Sequence, residues 1–367
     1  MILNKLTISG YRNYNEGEVA FTQGTNIIIG ENGQGKTNLL ESIYYLTGAQ
    51  SFRTRYDKEL IQHDQTNAAI QAQVSSEGRE QTIEIRLKRG QKKGIFLNGV
   101  RQKRSADLSG KVLAVLFSPD DLELIKGGAA NRRRFLDLSL SQIRPKYALW
   151  LAEFQKLYGH KTRILKDHRE NPALLSTLDD FNIQLAKASA HIISYRAFYV
   201  AKLAPYADKV HTEFSGGRER LQLSYKTVST IEDPMENKAA LFEHLLTHQA
   251  RLRQAEIDSG QCLSGAHKDD IEVKINGETA RAFASQGQTR TAALSMKLAE
   301  RDILFDDRGE YPLLLLDDVL SELDAARQDF VLNRIQSGQV FITCCEDNGI
   351  VSRTGGQIFT VKSGNVS

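Results

Sequence analysis

The stretch Asn26-Ile27-Ile28-Ile29-Gly30-Glu31-Asn32-Gly33-Gln34-Gly35-Lys36-Thr37 reads as a buried strand, a loop of the form G-x-x-x-x-G-K-[ST] and the first turn of a helix. Glycines at 30, 33 and 35 let the backbone curl so that successive N–H groups, those of Glu31, Asn32 and Gln34 included, point inward at phosphate oxygens. The positive end of the following helix adds a favourable field. Lys36 is expected to neutralise the β and γ phosphates of a nucleoside triphosphate such as ATP. Thr37 is expected to place its hydroxyl on Mg²⁺, a hard cation that prefers oxygen ligands and keeps several waters. The alternative is a glycine-rich turn without ligand. The apolar strand in front and the amphipathic Leu39-Leu40-Glu41-Ser42-Ile43-Tyr44-Tyr45-Leu46 behind argue against it.

A second half of the site lies far along the chain, at Tyr311-Pro312-Leu313-Leu314-Leu315-Leu316-Asp317-Asp318. Four consecutive leucines predict a strand buried on both faces, in the middle of a parallel sheet covered by helices. Open α/β sheets bind their ligands just beyond the strand ends, which is where the two carboxylates fall. Asp317 suits Mg²⁺, and Asp318 suits the orientation or deprotonation of an attacking water. A helix N-cap is the other use for such residues, but it accounts for one carboxylate and not for a pair.

About 280 residues separate the loop from the acidic strand, more than a simple βαβ repeat needs, so a substantial segment is inserted. Shortly before the acidic strand, Phe283-Ala284-Ser285-Gln286-Gly287-Gln288-Thr289-Arg290-Thr291 is a polar, glycine-containing turn that opens the apolar helix Ala292-Ala293-Leu294-Ser295-Met296-Lys297-Leu298-Ala299. It resembles the signature of ABC-type ATPases. After the acidic pair, Ser321-Glu322-Leu323-Asp324 resembles the D-loop of that class, and Val340-Phe341-Ile342-Thr343 reads as the next parallel strand.

Within that class the chain resembles the RecF family and, more loosely, SMC-type heads. The resemblance rests on Asn38 after Gly35-Lys36-Thr37, Ser51-Phe52-Arg53-Thr54, Phe117-Ser118-Pro119-Asp120-Asp121-Leu122, Asn131-Arg132-Arg133-Arg134-Phe135-Leu136-Asp137, Ser285-Gln286-Gly287-Gln288 and the run from Leu315 to Asp324. It covers essentially the whole chain. Two departures stand out. Gly265-Ala266-His267-Lys268-Asp269-Asp270 has Ala and Lys where the family element carries Pro and Arg. Thr343-Cys344-Cys345 stands where ABC transporters carry a switch histidine.

The fold class expected is α/β: an ABC-type ATPase head with a mostly parallel core sheet and an antiparallel flank, plus an inserted helical lobe. Residues 1–125 and 258–367 form the ATPase lobe, the second part bearing signature and acidic strand. Residues 126–257, with apolar positions three and four apart and punctuated by Pro145, Pro172, Pro205 and Pro234, form the helical lobe. At 367 residues, 41% hydrophobic and 25% charged, the chain can bury a full core. It has none of the roughly 18-residue apolar runs that a membrane span needs, and Met1-Ile2-Leu3-Asn4-Lys5-Leu6-Thr7-Ile8 alternates like a strand, so a cytoplasmic protein with no membrane partner is expected. Cys262, Cys344 and Cys345 are too few and wrongly spaced for zinc, and read as small buried hydrophobes.

Net charge is only +3, but residues 79–104 hold nine basic side chains against Glu80 and Glu84. A hairpin carrying Arg101, Lys103 and Arg104 would make a phosphate-binding ridge without sequence specificity, or a solvated edge that blunts strand pairing. The family resemblance favours DNA. Arg132, Arg133 and Arg134 form a second cluster at an expected helix start, where cations oppose the helix dipole and need compensation from phosphates or carboxylates. Arg12 stands where SMC-like heads carry a basic residue near the nucleotide; an ordinary surface arginine is its alternative.

The resemblance implies a mechanism. Ser285, Gly287 and Gln288 of one subunit would face the phosphate loop of a second, forming an ATP-dependent homodimer with shared catalytic sites built from Lys36, Asp318 and Ser285. It further implies a weak, DNA-stimulated ATPase that engages single-stranded and gapped or duplex DNA, and assists recombinase loading with RecO and RecR. A transporter's nucleotide-binding subunit and a non-catalytic scaffold with structural nucleotide are the competing readings.

Overall fold

A computed structural model describes every residue of the chain except 55, 347 and 348. The chain divides into two compact units, Met1–Asp121 with Met296–Ser367, and Leu122–Ser295. Elements are numbered in chain order.

The first unit holds two six-stranded sheets. One is antiparallel, with β1 (Ile2–Tyr11), β2 (Tyr14–Ala20), β4 (Asn67–Ser76), β5 (Arg79–Lys88), β6 (Gly94–Leu97) and β7 (Val100–Gln102) in the order β2-β1-β4-β5-β6-β7. Its strands alternate buried and exposed side chains, as in Ala68, Ile70, Ala72 and Val74 of β4, so one face packs on the core and the other meets solvent. The other sheet comprises β3 (Thr25–Ile29), β8 (Ala114–Phe117), β12 (Leu313–Asp317), β13 (Val340–Cys344), β14 (Gln357–Lys362) and β15 (Asn365–Val366), ordered β15-β14-β3-β13-β12-β8. All its pairings are parallel except that of β15. β12 lies between β13 and β8 and is buried along its whole length, which is why its sequence is an unbroken leucine run rather than an alternation. Helices α1 (Lys36–Tyr45), α9 (Ala325–Arg334) and α10 (Ile350–Thr354) also belong to this unit.

Register positions the site. Asp317 pairs with Thr343, Thr343 with Ile28 and Cys344 with Ile29. The carboxylate at the end of β12, the threonine of β13 and the exit from β3 into Gly30 are therefore level, although they come from remote parts of the sequence.

The second unit is mainly helical: α2 (Glu123–Lys126), α3 (Ala129–Ile143), α4 (Pro145–Asp167), α5 (Leu178–Phe214), α6 (Lys238–Ser259) and α7 (Ala280–Phe283), with a small sheet of β9 (Leu221–Lys226), β10 (Asp270–Ile275) and β11 (Glu278–Thr279). Helix α8 (Gln286–Arg308) starts in this unit and ends in the first. Residues 258–295, joined to the ATPase lobe in the sequence reading, fold here, because β10 pairs with β9 over the full six residues from Asp270 to Ile275. Pro205 does not divide helices as expected: α5 runs through it for 37 residues. A proline removes one helical hydrogen bond, but buried side chains on both sides of it, Val200 and Leu203 before and Ala207 and Val210 after, hold the helix in place.

The Gly265–Asp270 element forms part of this unit's buried polar network. Asp269 is fully buried, and its carboxylate accepts from Arg196 Nη1 at 2.7 Å, from Thr227 Oγ1 at 2.7 Å and from the Tyr225 hydroxyl. Arg196 also bonds Asp137 and the Ala266 carbonyl, each at 2.7 Å. Burial raises the Asp269 carboxyl above the usual range, and Arg196 with the two hydroxyls opposes that shift. Removing Arg196 would strand a buried carboxylate. Arg196→Ala is therefore expected to cost about 3–5 kcal/mol of stability, measured by urea unfolding; a loss under about 1 kcal/mol would show that water replaces the guanidinium.

Candidate nucleotide site

The phosphate loop leaves β3 at Gly30, where a Cβ would stand 2.4 Å from the Val361 carbonyl oxygen, so only glycine fits. Gly35, at φ 118°, lies in the left-handed region, and a Cβ there would meet the Asn13 side chain at 2.7 Å. The loop is braced from outside itself. Asn13 Nδ2 donates to Gln34 O at 2.8 Å, Tyr14 Oη to Gly35 O at 2.9 Å, and Gly364 N to Gln34 O at 3.1 Å. Lys36 opens α1 and is buried, with Nζ donating to Gly30 O at 2.5 Å and Glu31 O at 3.1 Å, inside the curl.

Thr37 Oγ1 donates to Asp317 Oδ1 at 2.9 Å, joining residues 280 apart in sequence. Thr343 Oγ1 donates to the same oxygen at 2.9 Å. Burial raises the Asp317 carboxyl above its ordinary value, and the two hydroxyls and Arg53 partly offset this. One hydroxyl and one carboxylate make a pair of hard oxygen ligands of the kind Mg²⁺ prefers. Among the described residues no group of three or more His, Cys, Asp and Glu side chains could hold a metal ion. An ion here would take its remaining ligands from phosphates and water, as Mg²⁺ commonly does.

Asp318 has φ 54°, its N–H donates to Thr343 Oγ1 at 2.9 Å, and its Oδ1 accepts from Ser321 Oγ at 2.9 Å. Unlike Asp317 it is half-exposed. Thr343, which the sequence marks only as the end of a strand beside the switch position, thus holds both aspartates.

Arg12, at φ 54°, is paired with a carboxylate: Nε and Nη2 each donate to Glu41 at 2.8 Å, and Nη1 reaches Glu59 O at 3.0 Å. It ties the β1–β2 turn to α1. Arg12, Asn13, Asn38, Arg53 and Lys58 line a basic cleft of about 560 Å³. Asn13 and Tyr14 were missed as site residues; an asparagine in the tight turn after Arg12 was the available signal. Cys345 corrects the expectation of three buried cysteines: it is exposed, with Sγ 3.2 Å from Asn32 Oδ1 and 3.7 Å from Lys36 Nζ.

In the second unit, Ser285 caps α8. Gln288 N donates to Ser285 Oγ at 3.2 Å and Ser285 N to Gln288 Oε1 at 2.9 Å, a reciprocal capping box. Gln288 Nε2 also donates to Glu219 at 2.8 Å. The Gly287 N–H lies in the first turn, where a helix supplies no acceptor.

Arg101, Lys103 and Arg104 are exposed, on and just after the edge strand β7. The second basic cluster divides. Arg132 is buried and forms a bidentate pair with Asp270 at 2.6 and 2.9 Å, with Nη1 on Gly127 O at 2.9 Å, so it is withdrawn as a DNA contact. Arg133 donates to Asp269 O at 2.7 Å, and Arg134 is exposed. The compensation that cations near a helix start require comes largely from the unit's own acidic strand.

These two sheets, the strand-loop-helix and the paired strand ends define an ABC-type ATPase head. Residues 2–364 match the RecF/RecN/SMC N terminal domain family. The DNA replication and repair protein RecF of Bacillus subtilis is 38% identical over 99% of this chain and 99% of its own length, and that of Lactobacillus johnsonii 40% identical over 95% and 94%. A solved structure of the recombination mediator protein RecF-ATPrS in the RecFOR pathway superposes with a TM-score of 0.93 at 33% identity, covering 100% of this chain and 97% of that one. An Smc head domain from Pyrococcus furiosus, 18% identical with a TM-score of 0.56 over 100% of this chain and 95% of its own, shares the fold. The chain belongs to the RecF family of DNA replication and repair proteins. No helix among the described residues is long and apolar enough to cross a membrane.

Proposed function

We propose that this protein is a cytoplasmic, ATP-dependent DNA-binding clamp of recombinational repair and replication restart. The observation that carries the reading is the 2.9 Å bond between Thr37 and Asp317, which closes a phosphate loop and an acidic strand end into one nucleotide site. The residues from Gly30 to Thr37 bind ATP, and Arg12 fixes the flank of the loop through Glu41. Thr37 and Asp317 would hold a magnesium ion, which would neutralise charge developing on the phosphates. Asp318 orients or deprotonates the attacking water.

Ser285, Gly287 and Gln288 grip the γ-phosphate of ATP held by a second copy, so ATP favours the head-to-tail dimer in a way ADP does not. Hydrolysis removes the contact and releases the clamp. The unit of Met1–Asp121 with Met296–Ser367 serves as the ATPase lobe, and the helical unit Leu122–Ser295 bears the signature. Arg101, Lys103 and Arg104, with Arg133 and Arg134, supply phosphate contacts to DNA near single-strand gaps. RecO and RecR assist recombinase loading there, as the RecFOR pathway named for the solved relative suggests.

ATP hydrolysis measured with and without gapped DNA tests the reading, since a transporter subunit would ignore DNA and a scaffold would not turn over. Lys36→Ala is expected to weaken ATP binding about 10- to 100-fold, the loss of one charged hydrogen-bonding group, and to remove ATP-driven pairing in sedimentation. Unchanged pairing would refute the role given to Lys36.

A further inference from the structure

The outward face of the antiparallel sheet carries a groove of about 910 Å³, within the first unit and apart from the phosphate loop. Cross-strand register makes its floor: Ser9 stands opposite Ala69, Ala69 opposite Arg86, and Arg86 opposite Gly94. Three small residues in one row sink the middle of the face between taller neighbours. A Cβ at Gly94 would lie 3.2 Å from the Phe96 ring, a tight contact that the ring would have to yield to.

Four cations line the groove, Arg86, Lys88, Lys92 and Arg101, against one carboxylate, Glu16. Arg86 is held in place: its Nη2 donates to Glu84 at 2.9 Å, and its guanidinium carbon lies over the Phe96 ring, 4.5 Å from the centroid. The Arg86 side chain is nevertheless 59% exposed, and both members of this cation–aromatic pair line the groove. Positive walls and a planar cation–aromatic platform together are what an unpaired nucleotide uses, phosphate on the cations and base on the plane. A base inside a duplex is already stacked on both faces and gains nothing from such a platform. An acidic peptide would use the charge but leave the plane without a partner.

We infer that this groove binds unpaired nucleotides of a DNA strand, with backbone phosphates on Lys88, Lys92 and Arg101 and a base stacked on the Arg86–Phe96 pair. The inference rests on the DNA-binding reading above and deepens it, separating a single-strand subsite from the exposed Lys103 and Arg104.

The test uses the full chain, an oligothymidylate carrying one 2-aminopurine, a duplex of equal length and a polyglutamate competitor. Binding of the oligonucleotide to the unaltered protein should quench 2-aminopurine through stacking. Phe96→Ala should abolish the quench and weaken oligonucleotide binding roughly 5- to 100-fold, the range for one stacked base, while duplex and ATP affinities stay unchanged. Arg101→Gln should lower the salt slope for the single strand by about 0.7. The inference is overturned if the unaltered protein binds the oligonucleotide without quenching, if Phe96→Ala leaves its affinity intact or weakens the duplex equally, or if polyglutamate displaces the oligonucleotide more readily than free oligothymidylate does. A protein that binds neither DNA form sinks the DNA reading as a whole, whereas duplex binding with no quench on the oligonucleotide sinks the groove alone.

Discussion

Asp318→Asn will slow steady-state ATP hydrolysis by about 10²- to 10⁴-fold, the usual contribution of a positioned general base, and leave ATP affinity nearly unchanged. The two aspartates at the end of β12 differ in what surrounds them. Asp317 is buried and its Oδ1 is occupied by the hydroxyls of Thr37 and Thr343, which suits a fixed metal-side ligand. Asp318 is half-exposed, held through its backbone N–H by Thr343 and through Oδ1 by Ser321. Its left-handed φ of 54° turns the chain sharply after the strand, a conformation that Asp and Asn both tolerate. Asparagine therefore keeps the backbone, the size and an acceptor for Ser321, and loses the negative charge and with it the capacity to take a proton. In the proposed cycle ATP favours pairing and hydrolysis ends it, so the variant should also accumulate as an ATP-loaded dimer. Rapid-quench turnover together with sedimentation in ATP reads both effects. Normal turnover would remove Asp318 from the chemistry, and slow turnover without dimer accumulation would uncouple hydrolysis from release.

The parts of this head that could be read in the sequence are those where one short segment contains its own physical reason. The glycines at 30 and 35 announce a curled loop because nothing larger fits beside Val361 and Asn13, and the run Leu313 to Leu316 announces a central strand because both faces are covered. What could not be read depends on partners distant in sequence. Arg132 looks like any helix-start cation until β10 brings Asp270 to it. Arg12 looks like a surface arginine or a nucleotide ligand until α1 supplies Glu41. Thr343 reads as the end of a strand beside the switch position, yet its hydroxyl bridges both aspartates, a role visible only once β12 and β13 are in register. Pro205 reads as a helix break because local propensity carries no sign of the packing that overrides it.

Ser285→Arg will leave ATP binding to the isolated subunit within about twofold and weaken ATP-driven pairing about a thousandfold or more. The serine is the N-cap of α8, and its hydroxyl oxygen accepts the Gln288 N–H at 3.2 Å; a hydroxyl can donate as well as accept. Its neighbour Gly287 adds a first-turn N–H with no intrahelical acceptor, and a 23-residue helix brings its dipole to the same point. Such a helix start attracts an anion, and within the proposed dimer that anion is the γ-phosphate carried by the second copy. Arginine removes the cap and inserts a long side chain into an interface fitted to a small one. Steric exclusion and misplaced charge each cost several kcal/mol at a buried contact. Loss of the cap alone costs about 1 kcal/mol, so Ser285→Ala serves as the control: it should lower helix stability by that amount and weaken pairing far less than arginine does. The discriminating measurement is the dimer dissociation constant in ATP and in ADP for both variants. If Ser285→Arg pairs as tightly as the unaltered chain in ATP, α8 does not face the nucleotide of a second copy. The capping box would then be what its hydrogen bonds already make it, the start of a helix.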